Sequence, residues 1–125
     1  MTYYIVNMSF EDKINNKFCY DAMVTGVYDG DTITCEIDLG FSVKTLQKVR
    51  LFGIDTPELR KEEYKDGIIA RDKLRELILD KKISLYTIKD KKGKYGRYLG
   101  IIYKDDVNIN RYMIDNGYAK EYMLK

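Results

Sequence analysis

The chain has 125 residues and a formal net charge of +2, with 45% hydrophobic and 34% charged residues. That is the length of one domain with a core of its own, and the composition is globular rather than disordered. With no histidine and two cysteines, imidazole chemistry is excluded, and the cysteines alone cannot make a thiolate zinc centre.

Catalysis is left to carboxylates, arginines, lysines and tyrosines, around a hard cation held by oxygen. The basic excess permits a polyanionic partner without demanding one, so a nucleic-acid site has to come from local clustering. No apolar run is long enough to span a bilayer, so no membrane partner is expected. The start, Met1 to Asn7, lacks a basic region followed by an apolar one, and a cytoplasmic protein without signal peptide is expected.

Residues 1–17 read as an N-terminal extension in which Ser9 caps at most a short turn, and residues 18–125 as the domain proper. Phe18–Tyr28 and Thr32–Ile37 read as strands on either side of Asp29-Gly30, a strong hairpin signal. Asp31 opens the returning strand. Asp38–Gln47 reads as a looser connection containing Gly40 and Ser42, and the first half of Val49–Glu58 as a third strand. Pro57, the chain's one proline, cannot donate to a sheet ladder and biases Thr56 toward an extended geometry. The strand therefore stops there, with Arg50 inside it and Asp55 and Glu58 at its end. Leu59–Asp66 is a charged loop or fraying helix start, and Ala70, Leu74, Leu77 and Ile78 predict an amphipathic helix ending near Asp80. Ile83 and Leu85 mark a fourth strand, Lys89–Lys94 a basic loop, and Tyr95-Gly96-Arg97 the opening of a fifth strand through Tyr103. Asp105-Asp106 turns the chain into a helix over Ile109–Asn116, stopped by Gly117. Five short strands with helices after the third and fifth predict an α+β, mainly β fold. The expected architecture is a five-stranded Greek-key oligonucleotide-binding (OB-fold) barrel with two to three short helices.

Such a barrel, if it brings Asp31, Asp55 and Arg97 together, gathers two carboxylates, Glu58, Arg50 and Arg97 on one face. Two carboxylates suit a hard divalent ion, and two planar guanidinium forks suit a phosphate. A third acid can orient or deprotonate water, which completes the parts phosphodiester hydrolysis needs. An EF-hand at Asp29-Gly30-Asp31 is excluded, because Ile33 and Thr34 stand where that loop wants an oxygen ligand and a glycine. Arg50 and Arg97 can also be read as structural ion-pair partners of Asp55 and Glu58, and Asp29 as a turn residue alone. A hairpin centred on Asp29-Gly30 sets Cys35 opposite Val24 or a near neighbour, away from Cys19, so both thiols are expected free.

The chain resembles the staphylococcal nuclease-like (thermonuclease) family, calcium-dependent phosphodiesterases on an oligonucleotide-binding barrel. The resemblance rests on Asp29-Gly30-Asp31-Thr32, Val49-Arg50 through Ile54-Asp55-Thr56-Pro57-Glu58, Lys81-Lys82-Ile83 and Lys94-Tyr95-Gly96-Arg97, then on the Asn110–Lys120 helix and its exit. It implies Ca2+ on Asp31, Asp55 and the Thr56 carbonyl, with Glu58 activating water. It also implies that Arg50 and Arg97 grip phosphate and that Tyr95 touches it, beside Lys94. Tyr118 and Tyr122 stand near the substrate, Tyr122 close to the family's base-stacking position. Relative to the family, the Thr32–Arg50 connection is longer, the segment after Glu58 is shorter, and a barrel lacking the family's full C-terminal helix is expected. The implied function is hydrolysis of single-stranded or flexible DNA and RNA by a monomer, leaving 3′-phosphate ends. The alternative is a non-catalytic nucleic-acid-binding module on the same barrel. The acids favour the enzyme, since without a metal Asp31, Asp55 and Glu58 only repel phosphate.

Overall fold

A computed structural model describes residues 18–92 and 97–122. Strand β1 (Cys19–Asp29) turns at Gly30-Asp31 into β2 (Thr32–Asp38), which returns as β3 (Lys44–Leu51). Cys35 lies opposite Val24 in the β1–β2 register, and the two cysteines are not joined in a disulfide. After the two-residue β4 (Ile54–Asp55) and one 3-10 turn (Lys61–Glu63), helix α1 (Tyr64–Ile78) crosses to β5 (Lys82–Lys92). Then come β6 (Tyr98–Lys104), β7 (Val107–Asn108), α2 (Ile109–Asp115) and β8 (Lys120–Glu121).

The sheet order is β3-β2-β1-β5-β6-β7, and β3 also pairs with β6 in parallel over Val49–Leu51. That pairing closes five strands into a barrel, as an oligonucleotide-binding fold requires. Inward residues of the strands, such as Val24, Ile33, Val49, Leu51, Leu85 and Ile102, fill it. Ala70, Leu74 and Ile78 of α1, at helical spacing, join the same core, as do Ile109 and Met113 of α2. A second buried cluster, Phe52, Tyr86, Leu99, Ile101 and Tyr103, is formed mainly by the alternate residues of β5 and β6.

Several boundaries differ from the sequence expectation. The first turn is Gly30-Asp31, with Asp29 paired to Thr32, so it falls one residue later than Asp29-Gly30, and Asp31 stands in the turn rather than opening β2. β3 begins at Lys44, inside what reads as a loose connection. Its first half points Leu46 outward and Gln47 inward, so no apolar alternation advertises a strand. α1 begins at Tyr64, inside what reads as a charged loop or fraying helix start, because Tyr64, Lys65 and Asp66 are exposed and its buried face starts only at Gly67. β5 runs on to Lys92, so the backbone of Lys89–Lys92 is strand rather than loop. The two-residue strands β4, β7 and β8 have no periodicity to read.

Helix α2 ends as its sequence predicts. Gly117 takes φ 80, Tyr118 N donates to Met113 O, and Gly117 N to Ile114 O. This Schellman pattern satisfies the orphan carbonyls and turns the chain back into β8. There Lys120 pairs with Asp55 and Glu121 with Ile54. Among the described residues no helix is long and apolar enough to cross a membrane.

Candidate active site

The Asp29-Gly30-Asp31 turn is wedged between β4 and α1. A Cβ on Gly30 would stand 2.8 Å from both the Thr56 methyl and the Ala70 Cβ, so only glycine lets the turn seat there. Seated, it points the Asp31 carboxylate at the strand end that Pro57 terminates. Asp31 Oδ2 accepts from Thr56 N at 3.0 Å, and Oδ1 from the Thr32 hydroxyl at 3.2 Å. Asp31 is thus held by a group 25 residues away in sequence as well as by its neighbour.

Arg50 joins the two acids. Its Nη1 donates to Leu51 O and Ile54 O, both at 3.0 Å, which fixes the guanidinium against the backbone of its own strand end. Its Nη2 lies 3.5 Å from Asp31 Oδ2 and 3.5 Å from Asp55 Oδ1. Arg97 Nη1 donates to Thr32 Oγ1 at 3.3 Å, and Thr32 faces Arg50 in the β2–β3 register. Both arginines therefore flank one threonine beside the two carboxylates. Tyr122 arrives through β8: its N donates to Gly53 O, and its ring packs under the Arg50 guanidinium at 5.7 Å.

Charge inside the cluster is unbalanced. Although its side chain reaches solvent, the Asp55 carboxyl is raised above the ordinary carboxylate range, first by partial burial and then by Asp31. Arg50 and Lys120 lower it, and Glu58 adds to the rise. Asp29 touches the cluster through the turn. Its Oδ1 accepts Asp31 N at 3.1 Å, as a turn aspartate does, and burial together with the Asp31 charge pushes its pKa up to about 6. Sequence reasoning left Asp29 outside the site. The signal was two acids two residues apart across a tight turn.

Glu58 and Tyr118 are not brought into this contact network. Glu58 is exposed and ion-paired with Arg60. Tyr118 is half-buried against the core, with its N bonded to Met113 O. Lys94 and Tyr95 lie outside the described residues. Thr56 is buried, and its Oγ1 is the buried side-chain oxygen without a partner among the described residues.

A family model of staphylococcal nuclease homologues matches residues 48–125. The chain belongs to the staphylococcal nuclease homologue family. It is similar to an uncharacterized protein of Methanocaldococcus jannaschii, 30% identical over 129 residues, covering 83% of this chain and 60% of that protein. It is also similar to a Haemophilus influenzae protein named an uncharacterized endonuclease, 33% identical over 99 residues, covering 79% of this chain and 51% of the relative. The chain thus spans half to three-fifths of the length of these relatives.

Family membership raises the matter of a metal. Among the described residues no three of His, Cys, Asp and Glu come together as a metal cluster. The oxygen set that is present is smaller: two carboxylates facing one point, with a guanidinium nitrogen as the positive charge between them, beside buried Thr56. With a threonine oxygen as the third ligand, that set fits a hard divalent cation that keeps waters in its remaining positions.

Proposed function

We propose that the protein is a metal-dependent nuclease that hydrolyses phosphodiester bonds of single-stranded or flexible DNA and RNA, with calcium as its cation. The observation that carries this reading is the convergence of Asp31 and Asp55 on one Arg50 nitrogen, 3.5 Å from each. An affinity module gains nothing from paired acids in front of a phosphate.

In this reading Asp31, Asp55 and the Thr56 carbonyl hold the cation. When bound, the cation neutralises charge on the phosphate and helps present a water for in-line attack. Glu58 takes the proton of the attacking water. Arg50 and Arg97 donate N–H groups to the phosphate oxygens and oppose the charge that grows on them. Arg50 suits that work because two backbone carbonyls already hold its planar fork, so little entropy is lost on binding. Tyr122 stacks against Arg50, and with it we assign Tyr118, Lys94 and Tyr95 as substrate contacts on the strength of the family resemblance. That Cys19 and Cys35 are not joined in a disulfide supports a protein at work in a reducing compartment.

One observation favours the alternative, a non-catalytic nucleic-acid-binding barrel: Glu58 is engaged by Arg60 rather than by the acid cluster. The purified chain, incubated with single-stranded DNA and with RNA in calcium, in magnesium and in chelator, separates the two. Calcium-dependent cleavage of both polymers is the expected result; binding without cleavage in every condition transfers the case to the module. Calorimetric calcium titration of Asp31→Ala and Asp55→Ala reads the ligand set without activity, and unchanged affinity in both removes it.

A further inference from the structure

The outward row of β3 runs Lys44, Leu46, Lys48, Arg50, so the strand that carries the phosphate-facing arginine also carries two exposed lysines in line with it. Alternate residues of a strand are about 6.7 Å apart, which puts Lys44 about 20 Å from Arg50, the reach of a few extended nucleotides. The row also borders open space. β3 pairs with β6 only at Val49–Leu51, and Lys44–Lys48 has no strand on that side among the described residues. Glu36 and Asp38, paired with Leu46 and Lys44 in register, lie on the opposite, β2 side. They keep a polyanion toward the free edge. Lys44 is lightly held, 3.8 Å from Glu36 with both side chains solvated.

The hairpin beyond Lys44 adds a second feature. Phe41 is 101% exposed and Leu46 63%, with Leu39 and Val43 also open. Phe41 stands at φ 55 and Ser42 at φ 62, the left-handed region that a bulky residue rarely occupies. Phe41 therefore gains the fold no burial and places its backbone in a costly conformation, while its ring is presented at the end of the lysine row.

We infer that the free edge of β3 and its hairpin tip bind the single-stranded nucleic acid flanking the cleaved bond, with phosphates on Lys48 and Lys44 and a base stacked on Phe41. This strip rests on the nuclease reading and extends its site. Two exposed cations and one aromatic platform are sequence-tolerant contacts, and they add affinity in proportion to substrate length. The lysines also discourage strand pairing at this edge, a role that needs no nucleic acid.

The test compares the full chain with K44Q/K48Q and with F41G on a thymidine 12-mer and on a thymidine dinucleotide, too short to leave Arg50. On the 12-mer each variant raises KM about fivefold with kcat unchanged. On the dinucleotide both constants stay at the parental value. F41G keeps or raises the melting temperature, since glycine accepts that backbone freely, so a fold defect does not imitate the effect. An unchanged KM on the 12-mer, or an equal rise on both substrates, overturns the strip. If the parent cleaves neither substrate the nuclease reading fails, and fluorescence anisotropy with a fluorescein-labelled 12-mer in chelator then reads the strip alone. A fivefold weaker Kd and a log Kd against log salt slope smaller by about 1.4 in K44Q/K48Q support it. Equal Kd and slope overturn it.

Discussion

At the scale of single residues, the site is defined by what each charged group already touches. Arg50 and Arg97 differ in how they are held, Arg50 by two carbonyls and Arg97 through the Thr32 hydroxyl. Removing a donor that tightens only in the transition state costs about 10²–10³ in rate. Lysine keeps the charge and loses the fork, so Arg50→Lys and Arg97→Lys are each expected to recover only part of that loss, with calcium affinity little changed. Parental turnover in both variants, measured by single-turnover kinetics, reduces the arginines to diffuse charge. Asp29 makes a different prediction. Its folded pKa of about 6 lies above its ordinary value of 3.8, raised first by burial and then by Asp31. A raised folded pKa favours the protonated folded state. The associated stability is therefore full below about pH 4 and lost as pH rises through about 6. Asp29→Asn, which keeps an oxygen for the turn, is thus expected to stabilise the chain by about 1 kcal/mol at pH 7.5, after allowance for the solvent that reaches the group. That gain vanishes near pH 4. Melting curves across pH in chelator check it, and a pH-independent difference removes the assignment.

At the scale of elements, the short passage from Pro57 to α1 is where packing reaches the chemistry. A Cβ on Gly67 would lie 2.6 Å from the Glu58 carbonyl oxygen and 2.9 Å from that of Pro57. Helix α1 thus rests directly on the backbone that presents Glu58, and the bare glycine sets how near it comes. Alanine at an ordinary helical site gains about 1 kcal/mol over glycine. Here forced overpacking costs about 1–3 kcal/mol and wins, because the obstruction is backbone rather than a side-chain end. Gly67→Ala is expected to lower stability and, by displacing Glu58, to lower kcat more than it changes inhibitor affinity. Urea titration and steady-state kinetics read the two effects; a variant as stable and as fast as the parent contradicts the close contact. Arg75 adds to the same packing by donating twice to Val27 O, at 3.2 and 3.0 Å, tying α1 to the strand that leads into the Asp29 turn.

At the scale of the whole molecule, one buried amide links the two ends of the barrel closure. Asn110 of α2, fully buried, accepts from Ile102 N at 3.1 Å and donates to Phe52 O at 2.9 Å and Gly100 O at 3.1 Å. It joins the closing strand β6 to the turn between β3 and β4, and so to the strand end that bears Asp55. Asn110→Ala takes this partner from Ile102 N and Phe52 O, whereas Gly100 O keeps its bond from Phe52 N, and a buried backbone group left unsatisfied costs about 1–3 kcal/mol. A loss of several kcal/mol is expected in urea titration; less than about 1 kcal/mol removes Asn110 from this role.

The local signals were legible in the sequence. Asp29-Gly30 forced the hairpin, Pro57 ended the sheet, the spacing of Ala70, Leu74 and Ile78 drew a helix, and Gly117 stopped the last one, each through backbone geometry or period alone. The resemblance in its motifs named the right family and fold. Lys44–Gln47 stayed hidden because its outward and inward residues break the usual alternation, and β4 and β8 because two residues carry no period. By itself, then, the chain determined which residues lie in turns, strand ends and helix faces. Only the tertiary structure decided that Asp31 meets Thr56, that one Arg50 nitrogen serves two acids, that Tyr122 stacks on Arg50 and that Glu58 turns to Arg60. Most of these meetings depend on closing β3 against β6 and β4 against β8, pairings between distant segments that no local pattern encodes.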